Sequence, residues 1–328
     1  MLARVDAQEK GRTMKRLWLG LILGGMLLNG ACRTDQGAKK LTAEQSTTPR
    51  VSKVISVGTR PESVTRGFGG KYYVTVQNDQ KIPGDGQIKV IDGDSVTTFA
   101  QGLDEPKGIV FTGTHLVCTD LKQVWEIDEN GKKEVLANES KFPFPMAYLN
   151  DAALGADGKS VLVTEMGSRG NMRDPSGKLW PLASPQAEAI TATGRVYRIS
   201  LSDGHVTSVF GPSHVVLIPN GVTNHTAERM LVADMFNGSI VEVKDGDAVR
   251  ILNSGFRGAD GLEEDRNGTI YLGSFDQGKV WKFDKEGQNP RLFADGLKAA
   301  ADMFLDEDKG IMLLPDTKAG TVLVIPLE

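Results

Sequence analysis

Six short segments of the chain superimpose on one another, and each opens on a polar or charged residue in the same slot. They begin at Glu62 (ESVTRGFGGKYYVT), Lys107 (KGIVFTGTHLVCTD), Asn150 (NDAALGADGKSVLVTE), Asn220 (NGVTNHTAERMLVAD), Asp260 (DGLEEDRNGTIYLGS) and Asp302 (DMFLDEDKGIMLLPD). In each, the slot is followed by a short apolar run, a turn and a second apolar run. Successive slots lie 45, 43, 70, 40 and 42 residues apart. A period of about 40–45 residues holding several strands is the signature of a propeller blade. Four strands can be read in most units; the fifth runs ADGLEED, TIYLGSF, KVWKFD and PRLFADG. A Gly-led strand also returns in phase at Gly86, Gly194, Gly238, Gly278 and Gly320.

These repeats predict an all-β fold, a six-bladed β-propeller of four-stranded blades. The 328-residue length alone would suggest two domains. The 38 glycines, the recurrent turn pairs such as Asp92-Gly93 and Asn267-Gly268, and the lack of long helical periodicity favour one all-β domain instead. The last unit stops at VLVIPLE, its third strand, while residues 51–57 (VSKVISV) form an extra strand ahead of unit one. That N-terminal strand is expected to complete unit six and close the ring, leaving no free sheet edge. The propeller therefore spans residues 51–328.

The long third spacing reflects an insertion, residues 167–193, between the second and third strands of blade three. If the slots lie at the top of the ring, this connection lies on the slot side. It is either a lid over the slots or a plain surface loop; Arg169, Arg173 and Trp180 favour a role at the site.

Residues 1–50 carry a different kind of information. Lys15 and Arg16 precede an apolar run from Leu17 to Leu28, followed by Asn29-Gly30-Ala31-Cys32. This is the plan of a secretory signal, too short to span a bilayer comfortably. Met14 is the more natural start for it than Met1. Cys32 after Gly-Ala resembles the end of a bacterial lipobox, although Asn29 departs from the usual aliphatic residue. Residues 1–32 are thus expected to be a signal with lipidation at Cys32, and polar residues 33–50 a flexible tether. The expected location is the bacterial cell envelope or periplasm, the membrane being met only through the lipid anchor; plain secretion is the alternative. With Cys32 so used, Cys118 is expected to be a buried small hydrophobe and not a disulfide partner. A net charge of −4 without a basic block gives no reason to expect a nucleic-acid partner. The chain is expected to act as a monomer on a small molecule.

If the ring closes, the slots converge on its axis. Glu62, Asn150, Asn220 and Asp260 would then offer two carboxylates and two amides to one hard cation, most naturally Ca²⁺, with Mg²⁺ or Mn²⁺ accepting the same oxygens. Asn-Gly and Asp-Gly pairs are also ordinary turn formers; what sets these four apart is their shared phase. Lys107 and Asp302 fill the other two slots. They form either an ion pair across the ring or a working pair, with Lys107 steadying a developing oxyanion and Asp302 acting as base.

The motifs PES at Glu62, LND at Asn150, PNGV at Asn220 and ADGL at Asp260 resemble those of the regucalcin–gluconolactonase family. The resemblance covers roughly residues 51–328. It implies a six-bladed propeller with one axial divalent cation, held by Glu62, Asn220 and Asp260, with Asn150 binding metal or substrate. It also implies hydrolysis of lactones or related esters, Asp260 being a candidate proton acceptor. Gluconolactonases carry an arginine two places before the Asn-Asp pair, where this chain has Tyr148. A less polar lactone or ester is thereby as plausible as a sugar lactone. Tyr148 and Trp180 join Asn150 as expected substrate contacts, unless the run Phe142, Phe144, Met146, Tyr148 is simply core. The competing expectation is a non-catalytic, calcium-stabilised envelope propeller that binds a ligand or partner, and a metal-free scaffold is a third.

Overall fold

A computed structural model describes residues 51–226 and 229–328. The expected signal, Cys32 lipidation and tether lie outside the described residues. Six four-stranded antiparallel sheets follow one another along the chain, as the repeat requires. Strand β1 (Lys53–Ser56) comes first, ahead of blade one. Blade one holds β2 (Pro61–Arg66), β3 (Tyr72–Val76), β4 (Gly86–Asp92) and β5 (Ser95–Leu103). Blade two holds β6 (Pro106–Phe111), β7 (Leu116–Asp120), β8 (Gln123–Ile127) and β9 (Lys133–Asn138). Blade three holds β10 (Leu149–Leu154), β11 (Ser160–Glu165), β12 (Arg195–Ser200) and β13 (Val206–Phe210), with the short helix α1 (Pro185–Glu188) in its insertion. Blade four holds β14 (Pro219–Thr226), β15 (Arg229–Asp234), β16 (Ser239–Lys244) and β17 (Asp247–Ser254). Blade five holds β18 (Ala259–Glu264), β19 (Ile270–Ser274), β20 (Lys279–Phe283) and β21 (Arg291–Ala294).

Blade six has only three strands of its own, β22 (Phe304–Asp306), β23 (Ile311–Asp316) and β24 (Thr321–Pro326). Strand β1 pairs antiparallel with β24 in the register Lys53↔Val324 to Ser56↔Thr321 and supplies the fourth. The first and last strands of the propeller therefore share one sheet, as the sequence predicts, with β1 as the outermost strand of blade six and β24 covered on both sides. Apolar residues alternate along the strands and are buried between neighbouring blades. One cluster joins Val117 and Val124 of blade two to Leu149, Val161 and Tyr197 of blade three. Another joins Ile55, Val64 and Val74 to Leu313 and Val322 across the closure. Cys118 belongs to the equivalent cluster between blades one and two and is fully buried. Burial pushes its thiol well above the ordinary range, which suits a packing role.

The slots owe their geometry to a repeated irregularity. In blade one Pro61 pairs with Val76 and Val64 with Val74, so Glu62 and Ser63 together oppose the single residue Thr75. The same shift falls at Lys107-Gly108, Asn150-Asp151, Asn220-Gly221 and Asp260-Gly261. Each is a β-bulge, which re-aims the side chain at the end of a strand. The opposed residue is threonine in the first three blades. Thr75 Oγ1 accepts from Ser63 N (2.9 Å) and donates to Lys107 O of the next blade (2.7 Å), and Thr119 Oγ1 likewise donates to Asn150 O. These hydroxyls tie each bulge to the next slot around the ring.

Blade six departs from the expected phase. Ala300 pairs with Asp316 and Phe304 with Leu313, which places the bulge at Ala301-Asp302. Ala301 therefore occupies the sixth slot. Asp302 is the second bulge residue, equivalent to Ser63 and Asp151, and its side chain leaves on the other side. It binds Ser63 Oγ and lines a separate cavity with Asp151 and Glu263. The sequence expectation of Asp302 at the slot is corrected accordingly.

Candidate metal centre and its cationic rim

Five of the expected slot residues, Glu62, Lys107, Asn150, Asn220 and Asp260, line one cavity of about 280 Å³ at the ring axis. All five are at most 5% exposed. The rest of the wall comes largely from connections between second and third strands. Met166, Arg169, Met172, Arg173 and Gly177 come from blade three, Met235 from blade four, Phe275 and Asp276 from blade five, and Lys318 from blade six. The insertion thus reaches the site, as a lid would. It is not a loose loop: Met172, Ala187 and Ile190 are buried with Met166, Leu217, Ile218 and Met235 in a cluster of their own.

The amide groups are oriented. Asn150 Nδ2 donates to Met166 Sδ (3.2 Å), and Asn220 Nδ2 donates to Met235 Sδ (3.6 Å). With the NH₂ groups turned to sulfur, the amide oxygens are left for another partner. Asn220 Oδ1 and Asp260 Oδ1 are both buried without a hydrogen-bond partner. Buried oxygens normally find partners, so two orphans in one small cavity mark a place for a cationic ligand. Glu62 completes the group, its Oε2 held by Gln77 Nε2 at 2.8 Å and its Oε1 lying 3.5 Å from Lys107 Nζ. Among the described residues no three His, Cys, Asp or Glu side chains are grouped to hold a metal ion. A cage built from these residues would have two carboxylates only and would depend on the two amides. An oxygen set of two carboxylates and two amides fits a hard divalent cation.

The electrostatics agree with such a site. Burial first, and then the like charge of Glu62, pushes the Asp260 carboxyl well above the usual range, while Lys107 acts against both. Burial pulls the Lys107 ammonium down, but Glu62, together with Tyr148 and Asp260, outweighs it and leaves the group raised. The ion pair of Lys107 is therefore with Glu62, not with Asp302. The Asp302 carboxyl is itself pushed well up by burial and by Asp151.

Two expected substrate contacts stand behind the wall. Tyr148 is buried, its hydroxyl bonded to Glu105 Oε2 and its ring covered by the Arg169 guanidinium at 3.9 Å. Trp180 packs on the apolar cluster under the insertion. Neither lines the cavity.

Sequence reading left one repeated feature unused, the acidic end of the second strand. Asp120 accepts from the amides of Asp104 and Glu105, Asp234 from those of Leu217 and Ile218, and Asp316 from those of Lys298 and Ala299. Glu165 does the same for Ala147 and Tyr148. These carboxylates fix the loop that leads into the slot in blades two, three, four and six. Their recurrence in VCTD, LVTE, MLVAD and LLPD was the available signal.

Comparison with known proteins agrees with the architecture. A gluconolactonase from Xanthomonas campestris has a similar fold, with a TM-score of 0.56 at 17% identity over 84% of this chain and 98% of that one. A structural-genomics protein that carries a provisional gluconolactonase name gives a TM-score of 0.60 at 15% identity, over 85% and 94% of the two chains. At such identities these likenesses establish the fold alone. No curated protein sequence matches the chain. Residues 86–295, more than half of the sequence, match the SMP-30/gluconolactonase/LRE-like region, and the chain belongs to that family.

Proposed function

We propose that the chain is a divalent-cation-dependent hydrolase of lactones or related esters. The observation that carries this reading is the pair of buried, unpartnered oxygens, Asn220 Oδ1 and Asp260 Oδ1, on two residues that line one axial cavity beside Glu62. Glu62, Asn150, Asn220 and Asp260 would hold the cation, with Ca²⁺ the best match to these ligands. A cation bound there would supply Lewis acidity toward the carbonyl oxygen of the substrate.

The chain's own residues account for the remaining requirements. Lys107 offsets part of the burial and like-charge repulsion that raise the Asp260 carboxyl, and the ionised form of that carboxyl is the one that accepts a proton from water. The water oxygen then bonds to the carbonyl carbon, the ring C–O bond breaks, and the departing alkoxide takes the proton back from Asp260. Lys107 Nζ, buried at the same wall, would steady negative charge on the carbonyl oxygen. Asp302 has no part in this scheme, because its bulge position turns it away from the cavity. Family membership and the gluconolactonase names of the structural neighbours support the hydrolase class. The test is a lactone and aryl-ester panel assayed before and after chelation. Loss of hydrolysis on chelation, restored by Ca²⁺, supports the proposal. Metal binding with no hydrolysis of any substrate would favour a calcium-stabilised binding propeller.

A further inference from the structure

The rim of the same cavity carries more positive charge than a cation cage needs. Arg60, Lys107, Arg169, Arg173 and Lys318 line it, against Glu62, Asp260 and Asp276. Two of these cations have ionic partners. Lys107 faces Glu62 at 3.5 Å, and Arg173 forms a two-pronged pair with Asp276, both bonds being 3.0 Å. The other three have no carboxylate partner among the described residues. Arg60 Nη2 reaches only the amide oxygen of Gln77 at 3.5 Å, and its Nε is buried without a partner. Arg169 lies over the Tyr148 ring, its guanidinium carbon 3.9 Å from the ring centre. Lys318 Nζ sits 5.1 Å from the centre of the Phe275 ring.

These three residues come from separate places, the entry to β2, the blade-three insertion and the β23–β24 turn. Two are steadied by aromatic faces, which position a cation without neutralising it. Cations left unneutralised at the mouth of a concave site focus a positive field into it. A neutral substrate would leave that field unanswered. Guanidinium groups, with their planar fork of donors, match carboxylate and phosphate oxygens best.

We infer that the substrate carries an anionic group, a carboxylate or a phosphate ester, remote from the ester bond, and that Arg60, Arg169 and Lys318 hold it at the mouth of the cavity. As a statement about a substrate this rests on the hydrolase reading. As a statement about binding it can be tested without hydrolysis.

The probes are isosteres that no hydrolase can open. 3-Oxocyclopentane-1-carboxylate, its neutral carboxamide and (3-oxocyclopentyl)methyl phosphate are titrated calorimetrically into the full chain in CaCl₂. At least one anion is expected to bind about tenfold or more tightly than the carboxamide, an advantage that shrinks as NaCl rises. Whichever anion binds tighter names the group. Arg169→Gln and Lys318→Gln should each weaken the anion roughly three- to tenfold while changing the carboxamide far less, and Arg169→Lys should recover part of the loss. Equal affinity for charged and neutral probes, or variants that weaken both alike, would overturn the inference. A chain that prefers the anion but opens no lactone keeps this inference and loses the hydrolase reading. One that opens neutral and anionic lactones equally well keeps the hydrolase reading and loses this inference.

Discussion

Replacing Lys107 by methionine should destabilise the protein without calcium and strengthen its hold on calcium. Lys107 and Glu62 are both about 5% exposed, with 3.5 Å between Nζ and Oε1. At an effective dielectric of about 20, attraction across that distance amounts to about 5 kcal/mol. Two desolvation penalties offset part of it, and breaking such a buried pair costs about 3–5 kcal/mol. In Lys107→Met the Glu62 and Asp260 carboxylates face each other without the ammonium that now separates their charges. In EDTA the variant should melt roughly 10 °C below wild type. Calcium should then recover more stability in the variant than in wild type, because it replaces the missing charge and no longer competes with it. Saturation at a hundredfold excess over Kd contributes about 2.7 kcal/mol, and tighter binding contributes more. Thermal melts of wild type, Lys107→Met and the Glu62→Gln/Lys107→Met double variant, each with EDTA and with CaCl₂, read this directly. The double variant removes both charges and should fall less far than Lys107→Met in EDTA, while losing the calcium response. A Lys107→Met protein that melts like wild type in EDTA, or gains no more from calcium than wild type does, would refute the placement of this pair beside the cation cage.

The other expectations concern the neighbours of the cage. Asp302→Asn preserves the shape of a carboxyl that burial holds toward its neutral form, so calcium affinity should stay within about twofold and stability within about 1 kcal/mol; calorimetry and chemical denaturation check both. Met235→Leu removes the sulfur acceptor that turns the Asn220 amide, and calcium affinity should fall about threefold with little change in melting. Gly221→Ala should cost about 3 kcal/mol or more by denaturant titration, because a Cβ there would collide with the carbonyl oxygen of Asp260 on the next blade.

The blades were legible because each repeats the same alternation of apolar strand and glycine turn, and because β1 completes an otherwise short last unit. Four of the six slots, and Lys107 as a fifth, were legible because one period carries them all. Asp302 was not. DMFLDEDKG and DGLEEDRNG align by their acidic residues, yet the bulge in blade six falls at Ala301-Asp302. A one-residue change of phase sends a strand side chain to the opposite side, and only the pairing of Ala300 with Asp316 reveals it. Tyr148 is expected at the site because it stands where gluconolactonases carry an arginine, and Trp180 because it lies in the insertion over the slots. The insertion instead lays Arg169 on Tyr148 and packs the half-buried Trp180 against its own apolar cluster, contacts between segments that no local pattern encodes. The acidic strand ends were visible as letters, but their work on the loop amides depends on backbone positions set by the fold.

The central claim is that Glu62, Asn150, Asn220 and Asp260 form a cation site on which hydrolysis depends. Elemental analysis of the purified chain, after dialysis against metal-free buffer and readdition of calcium, tests it most directly when paired with the lactone panel. The expected result is one tightly held divalent cation per chain, lost together with hydrolysis in Glu62→Gln/Asp260→Asn. A wild-type chain that retains no cation, or that hydrolyses lactones equally well after chelation, would contradict the account.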